Sequence, residues 1–204
     1  MNFQRIQIKY DFSKFEDVFL KQNSILNLIS KNEERFLYPK HIYDSLGIKL
    51  FIDKYKVKDV RLLDIGTGGG FPAVPISLEY KDIEVVALDS IQKKINAIEN
   101  IKNELNIENL STICNRAENI KNQKFDIITT RAVSSIKNLV KYSNFLLKDG
   151  GYFIAYKSKL ADTELKDAKF ELKQYKLKLI DDIKYRLPLE ELYERRLIIF
   201  QKIT

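Results

Sequence analysis

The sequence predicts an α/β fold, a mostly parallel sheet covered on both faces by helices and preceded by a helical cap. Three observations predict it. From residue 60 onward, short apolar runs alternate with amphipathic stretches of helical period. A glycine-rich turn follows the first of these runs. Before them, Phe12, Phe15, Phe19, Ile25, Leu26 and Ile29 recur at roughly helical spacing with no competing strand signal.

Taken in order, residues 11–52 read as mostly helical, and the boundary between cap and main unit is placed at 1–55 and 56–204. Residues 60–65 form the first strand, and Pro72 stands where a helix would begin, a favoured place for proline. Residues 83–88 form the second strand. Ile91, Ile95, Ile98, Ile101 and Leu105 then mark one face of a helix. Residues 111–114 and 125–130 are the third and fourth strands, and Ile136, Leu139, Val140, Leu146 and Leu147 mark another helix. Gly150-Gly151 turns the chain into a fifth strand at 152–156, followed by one helix over 161–173. Tyr175, Leu177 and Leu179 alternate with lysines as a half-exposed strand, and 197–203 is the last. With no helix between them, these two are expected as an antiparallel hairpin at one edge, giving a seven-stranded sheet with an antiparallel C-terminal edge strand.

The bulk properties narrow the function. The chain has 204 residues, enough for one good core. No apolar run approaches the ~20 residues that span a bilayer. The start, Met1-Asn2-Phe3-Gln4-Arg5-Ile6, leads into charged residues and not into an apolar leader block, so a cytoplasmic protein is expected. Cys114 is the only cysteine and His41 the only histidine, too few for a zinc-type site. Cys114, within a strand, reads as a small core residue. The net charge of +7 suits a polyanionic partner, RNA or DNA first, or else a lysine-rich solvated surface.

The chemistry concentrates in Asp64-Ile65-Gly66-Thr67-Gly68-Gly69-Gly70-Phe71, which falls at the carboxyl end of a strand, where open α/β sheets bind ligands. Gly66, Gly68 and Gly70 are spaced G-x-G-x-G, and glycine lets a ligand approach the backbone. A dinucleotide fingerprint would place glycine where Phe71 stands, so a pyrophosphate is disfavoured. S-adenosylmethionine has no phosphate to cradle and fits such a turn better. Asp89 ends the second strand. Its carboxylate can take both hydroxyls of a ribose, or it can cap the helix that follows. Asp64 can face a ligand ammonium or brace the turn.

With these pieces assembled, the chain resembles the glucose-inhibited division protein B family, the bacterial 16S ribosomal RNA guanine-N7 methyltransferases. The resemblance runs from about Asn27 to the C-terminus. It rests on Asn27-Leu28-Ile29, His41-Ile42-Tyr43-Asp44-Ser45-Leu46, the glycine turn with Pro72, and Leu88-Asp89-Ser90 with Lys93-Lys94. It continues through Arg116-Ala117-Glu118, Thr130-Arg131-Ala132-Val133, Tyr156-Lys157 and Glu194-Arg195-Arg196-Leu197. Ser158 stands where the family usually carries glycine. The resemblance implies a Rossmann-like class I methyltransferase that uses S-adenosylmethionine, acts on 16S rRNA or the small ribosomal subunit, and needs no metal; a monomer is expected. It implies that Gly66, Gly68, Phe71 and Asp89 bind the cofactor, with Ala117 and Glu118 beside the adenine and Arg131 reaching the pocket. Arg131, Lys157, Asp44 and His41 are the candidate catalytic residues, and Asp44 or Glu118 could stabilise the positive charge that moves with the methyl group. Lys93, Lys94, Lys157, Lys159, Arg195 and Arg196 are candidate phosphate contacts. Glu118 could equally be an acid at a helix start. The competing readings are a methyltransferase for another RNA or a small molecule, a nicotinamide-dependent oxidoreductase, and a non-catalytic RNA-binding factor.

Overall fold

A computed structural model describes residues 5–204. Residues 1–4, part of the start read above for a leader, lie outside the described residues. The cap comprises α1 (Ser13–Leu26), a short α2 (Lys31–Glu34), a π-helical turn (Leu37–Tyr43), a 3-10 turn (Leu46–Ile48) and α3 (Lys49–Tyr55). The phenylalanines at helical spacing bury Phe15 and Phe19 completely, and α1 stops where Asn27 turns left-handed. No helix among the described residues is long and apolar enough to cross a membrane.

Then come β1 (Val60–Ile65), α4 (Ala73–Glu79), β2 (Ile83–Asp89), α5 (Gln92–Leu105), β3 (Leu110–Cys114), β4 (Phe125–Arg131) and α6 (Ile136–Leu146). The chain ends with β5 (Leu147–Lys157), α7 (Ala161–Asp167), α8 (Lys169–Gln174), β6 (Leu177–Arg186) and β7 (Glu194–Lys202). The sheet order is β3-β2-β1-β4-β5-β7-β6. The pairs among β1 to β5 are parallel, with Leu63 opposite both Val86 and Ile128, while β7 is antiparallel to β5 and to β6. The expected hairpin is therefore present. Within it the C-terminal strand β7 takes the inner place and β6 the edge.

Alternate residues of the strands feed two cores. Leu62, Val85, Ile127 and Ile199 face the cap, α4 and α5; Leu63, Val86, Ile128 and Ile198 face α6 and the α7–α8 pair. Burial on both faces is why these strands read as continuous apolar runs. The cap's Phe15, Phe19 and Phe51 share the first core with the sheet. The single helix expected over 161–173 is broken at Ala168. That residue is buried against the second core, and the chain turns there. Cys114 corrects a second expectation: it is exposed, because it closes β3, the edge strand, beyond the cover of α5.

The sheet reverses its order between β1 and β4, so the glycine turn after β1 lies at the topological switch point. The carboxyl ends Ile65, Asp89, Cys114 and Arg131 lie along the same edge.

Candidate active site

A cavity of about 840 Å³ opens at that edge. Gly66, Asp89, Ala117 and Glu118 line it, together with Leu88, Ile91 and Val133. Four of the sequence-predicted cofactor residues thus meet in one place. Gly66 has φ +71°, and a Cβ there would stand 2.5 Å from Val133 Cγ2, so the glycine lets the loop after β4 close against the turn. Gly68 has φ +60°, and a Cβ there would find no atom nearer than 4.0 Å, so its face is open to a ligand.

The turn's hydrogen bonds bear directly on the cofactor. The Gly66 and Thr67 amides donate to Leu88 O, and those of Gly70 and Phe71 to Thr67 O. The Gly68 amide donates to Asp89 Oδ2 at 3.0 Å. A phosphate-binding turn must offer free N–H groups to the anion. These five are already bonded within the protein, so a pyrophosphate would find no nest among them. Asp89 Oδ1 also accepts from the Ile91 amide at 3.0 Å, so the helix-starting role is real. A carboxylate has about four acceptor positions. Two remain open, with the Lys94 ammonium 3.8 Å from Oδ2, so the helix-starting role leaves room for a ligand's hydroxyls.

Other predicted residues lie elsewhere. Phe71 is 3 % exposed and sits against Phe15, Phe19 and His41, with ring centroids 5.9, 5.0 and 5.2 Å away, and is not on the cavity wall. Arg131 points under the cap. It donates to Lys40 O at 3.1 Å, Asp44 Oδ2 at 3.3 Å and His41 Nδ1 at 3.2 Å. A guanidinium only donates, so His41 Nδ1 is the acceptor and its Nε2–H faces Glu33 Oε2, 3.2 Å away. Burial, then the Arg131 charge, hold the His41 pKa below its ordinary value.

Asp44, 2 % exposed, is the centre of this cluster. Arg195 holds it through two bonds of 2.8 and 3.0 Å, and the Tyr185 hydroxyl donates to it at 2.6 Å. Burial alone would raise its pKa; the Arg195 and Arg131 guanidiniums reverse that and keep it charged below the usual carboxylate range. Asp44 therefore cannot serve a charge that develops in the cavity. Glu118, exposed on the cavity wall, is better placed for that. Asp64 is fully buried with Thr129 Oγ1 donating to it at 2.9 Å, and burial pushes its pKa up to about 7; it braces the strand below the turn.

Lys157 is also engaged. Its ammonium donates to Ser134 O at 2.7 Å and pairs with Glu164 at 2.8 Å, while Glu164 accepts the Ile136 amide at 2.8 Å. The trio pins the 132–135 loop, which walls the cavity. Arg196 is held by Asp182 and Asp162. Of the proposed phosphate contacts, then, Lys94, Lys157, Arg195 and Arg196 are already paired, and Lys93 and Lys159 stay exposed. Sequence reasoning missed the far half of the cavity, which runs along α6 past Lys137, Asn138, Lys141 and Tyr142 to Tyr175. The i, i+4 pairs Lys137/Lys141 and Asn138/Tyr142 were its only signal.

Comparison with known proteins decides the family. Residues 8–185 match the family described as rRNA small subunit methyltransferase G, GidB. The chain belongs to that family. It is 35% identical to the ribosomal RNA small subunit methyltransferase G of Lysinibacillus sphaericus, covering 94% of this chain and 82% of the relative. It is 38% identical to that of Clostridium novyi over 79% of this chain and 68% of the relative. Among solved structures, the ribosomal protein L11 methylase of Lactobacillus delbrueckii subsp. bulgaricus has the same fold, with TM-score 0.60 and 20% identity over 78% of each chain. TrmN of Thermus thermophilus also shares it, with TM-score 0.60 and 16% identity over 78% of this chain and 49% of that one. As a methyltransferase G family member, the chain is of the Rossmann-like methyltransferase class. The cavity fits the cofactor of that class: Gly66 and a carboxylate at the end of β2 on its wall, beside a turn whose amides are mostly bonded within the protein; Gly68 stands next to it and not in the lining.

Proposed function

We propose that this chain transfers the methyl group of S-adenosylmethionine to N7 of a guanine in 16S rRNA of the small ribosomal subunit, as a cytoplasmic monomer. The observation that carries the reading is the amide-bonded glycine turn beside Asp89, in a chain of the methyltransferase G family. The donor supplies an electrophilic methyl on a sulfonium sulfur.

The chain's own residues bind and orient. Asp89 takes the ribose hydroxyls, Gly66 and Gly68 let the donor lie against the backbone, and Ala117 and Glu118 flank the adenine. Guanine N7 carries a lone pair and no proton, so no general base is required. The site agrees with this. His41 is buried with both ring nitrogens engaged, and Asp44 and Lys157 are paired. Arg131, Asp44, His41 and Lys157 thus act as positioning residues, fixing the cap and the 132–135 loop around the donor. Orientation of this kind supplies on the order of 7–11 kcal/mol in favourable cases. Residues 1–55 serve as the cap and 56–204 as the methyltransferase unit.

The test uses a donor with a tritiated methyl group, offered small ribosomal subunits, naked rRNA and RNA-free protein extract. The expected result is label in 16S rRNA, at a guanine where borohydride and aniline cleave the chain. Label in protein alone, or in no RNA substrate, overturns the reading.

A further inference from the structure

The charge of the chain is unevenly placed. Four segments wall the cavity or continue from its walls: residues 89–94, 115–124, 132–146 and 169–176. Together they carry ten lysines and arginines against three carboxylates. That excess of seven equals the net charge of the whole molecule, so everything else is balanced. The cap side differs. The loop that joins β6 to β7 over the same edge, residues 187–193, carries Glu190 and Glu191 and no cation, and Glu194, which opens β7 beside it, pairs with Arg186.

Part of the rim's charge is paired, Lys94 with Asp89 at 3.8 Å and Lys137 with Glu171 at 3.4 Å. Lys93, Lys121 and Lys173, in the same segments but outside the cavity lining, are exposed and make no ion pair within 4.0 Å among the described residues. Aromatic residues neighbour lysines along these segments: Tyr142 follows Lys141, Phe170 follows Lys169 and Tyr175 precedes Lys176. Phe170 is 73 % exposed, and Tyr142 and Tyr175 line the cavity's far half. Unpaired cations interleaved with exposed rings are the surface that a single nucleic-acid strand requires, phosphates on the charges and bases on the rings.

We propose that the groove along α6, α8 and the 115–124 loop is the face that takes the RNA strand, and that the acceptor guanine enters the donor cavity from this side and not over the cap. The proposal rests on RNA being the methyl acceptor. It places the recognition of the flanking nucleotides on the rim, where the acidic 187–193 loop would repel them on the other side.

Three variants test it with naked 16S rRNA and with small subunits, reading affinity against salt. Each phosphate contact contributes ~0.7 to the slope of log K against log salt for a single strand. Lys93→Gln/Lys121→Gln/Lys173→Gln should lower that slope by roughly 2. Lys9→Gln/Lys56→Gln/Lys58→Gln, on exposed lysines at the opposite end of the molecule, should leave it as in the wild type. Phe170→Ala should weaken binding about fivefold or more with the slope unchanged. An unaltered slope in the rim variant, or a loss confined to the Lys9 set, overturns the proposal while RNA remains the substrate; unchanged affinity in Phe170→Ala overturns the stacking role. A wild-type protein with no salt-dependent affinity for either RNA defeats the RNA reading itself.

Discussion

Two charged regions meet at the carboxyl edge of the sheet, and they are built oppositely. Under the cap, Asp44 and Tyr185 are buried, Arg131, Arg195 and His41 are half-buried around them, and each polar end has a partner. Along the rim of the cavity, Lys93, Lys121 and Lys173 stand in solvent with no carboxylate within 4.0 Å among the described residues. Buried charges must be paired and hydrogen-bonded because desolvation costs several kcal/mol per ion. Solvated charges carry no such demand and stay available to a ligand. The first region therefore holds architecture, tying the cap to the ends of β4 and β7, and the second serves recognition. Arg195 looks in the sequence like a phosphate contact and Arg131 like a pocket residue, and the structure pairs both with Asp44.

Removing the centre of the buried region is the strongest way to break this comparison. Asp44→Asn leaves two guanidiniums buried without their anion. A loss of about 3–5 kcal/mol is expected, or roughly 10 °C in Tm for a chain of this size, read by thermal denaturation. A shift within 2 °C would mean that the cluster is not structural.

Asp64 sharpens the contrast through pH. Its folded pKa, about 7, lies above the unfolded value of 3.8. Between these values the native state holds a proton that the unfolded state has released, so stability falls as pH rises through that window. Asp44, with a lowered pKa, works in the opposite sense: its contribution is present above the ordinary carboxylate pKa and is lost as pH falls through the folded value. Denaturant melts from pH 4 to pH 8 should show Asp64→Asn gaining on the wild type by on the order of 4 kcal/mol toward pH 8. Parallel curves would remove Asp64 as the titrating group.

The smallest stability effect belongs to the rim. Lys93→Gln/Lys121→Gln/Lys173→Gln should change stability by no more than about 0.5 kcal/mol per site, measured in the same melts. A collapse comparable to that of Asp44→Asn would erase the distinction between the two regions.

Much of the fold was legible because buried parallel strands announce themselves as apolar runs, and Val60–Ile65 matched its run to the residue. The break at Ala168 was not, since a buried alanine in a helical pattern carries no turn signal. Cys114 was misplaced because the sequence does not say which strand is the edge. In the site, Gly66 and Asp89 came from strand ends at the switch point, a rule of topology that needs no side-chain geometry, whereas Ala117 and Glu118 came from the family resemblance. Phe71 and Arg131 are adjacent to that edge too, yet their side chains turn into the cap, whose packing is long-range and leaves no local mark. Tyr185 and Arg195, 141 and 151 residues from Asp44, escaped for the same reason.

The most direct test of the donor site is calorimetric titration of S-adenosylmethionine into the wild type and Asp89→Asn. Both Asp89 oxygens accept amides, from Gly68 and Ile91, so the variant keeps one of these bonds and loses the negative charge offered to the donor's ribose. Donor affinity is predicted to fall at least about tenfold, with about 1–3 kcal/mol of stability lost for the amide left without its acceptor. Equal affinity in the two proteins would contradict the assignment of this cavity to the methyl donor.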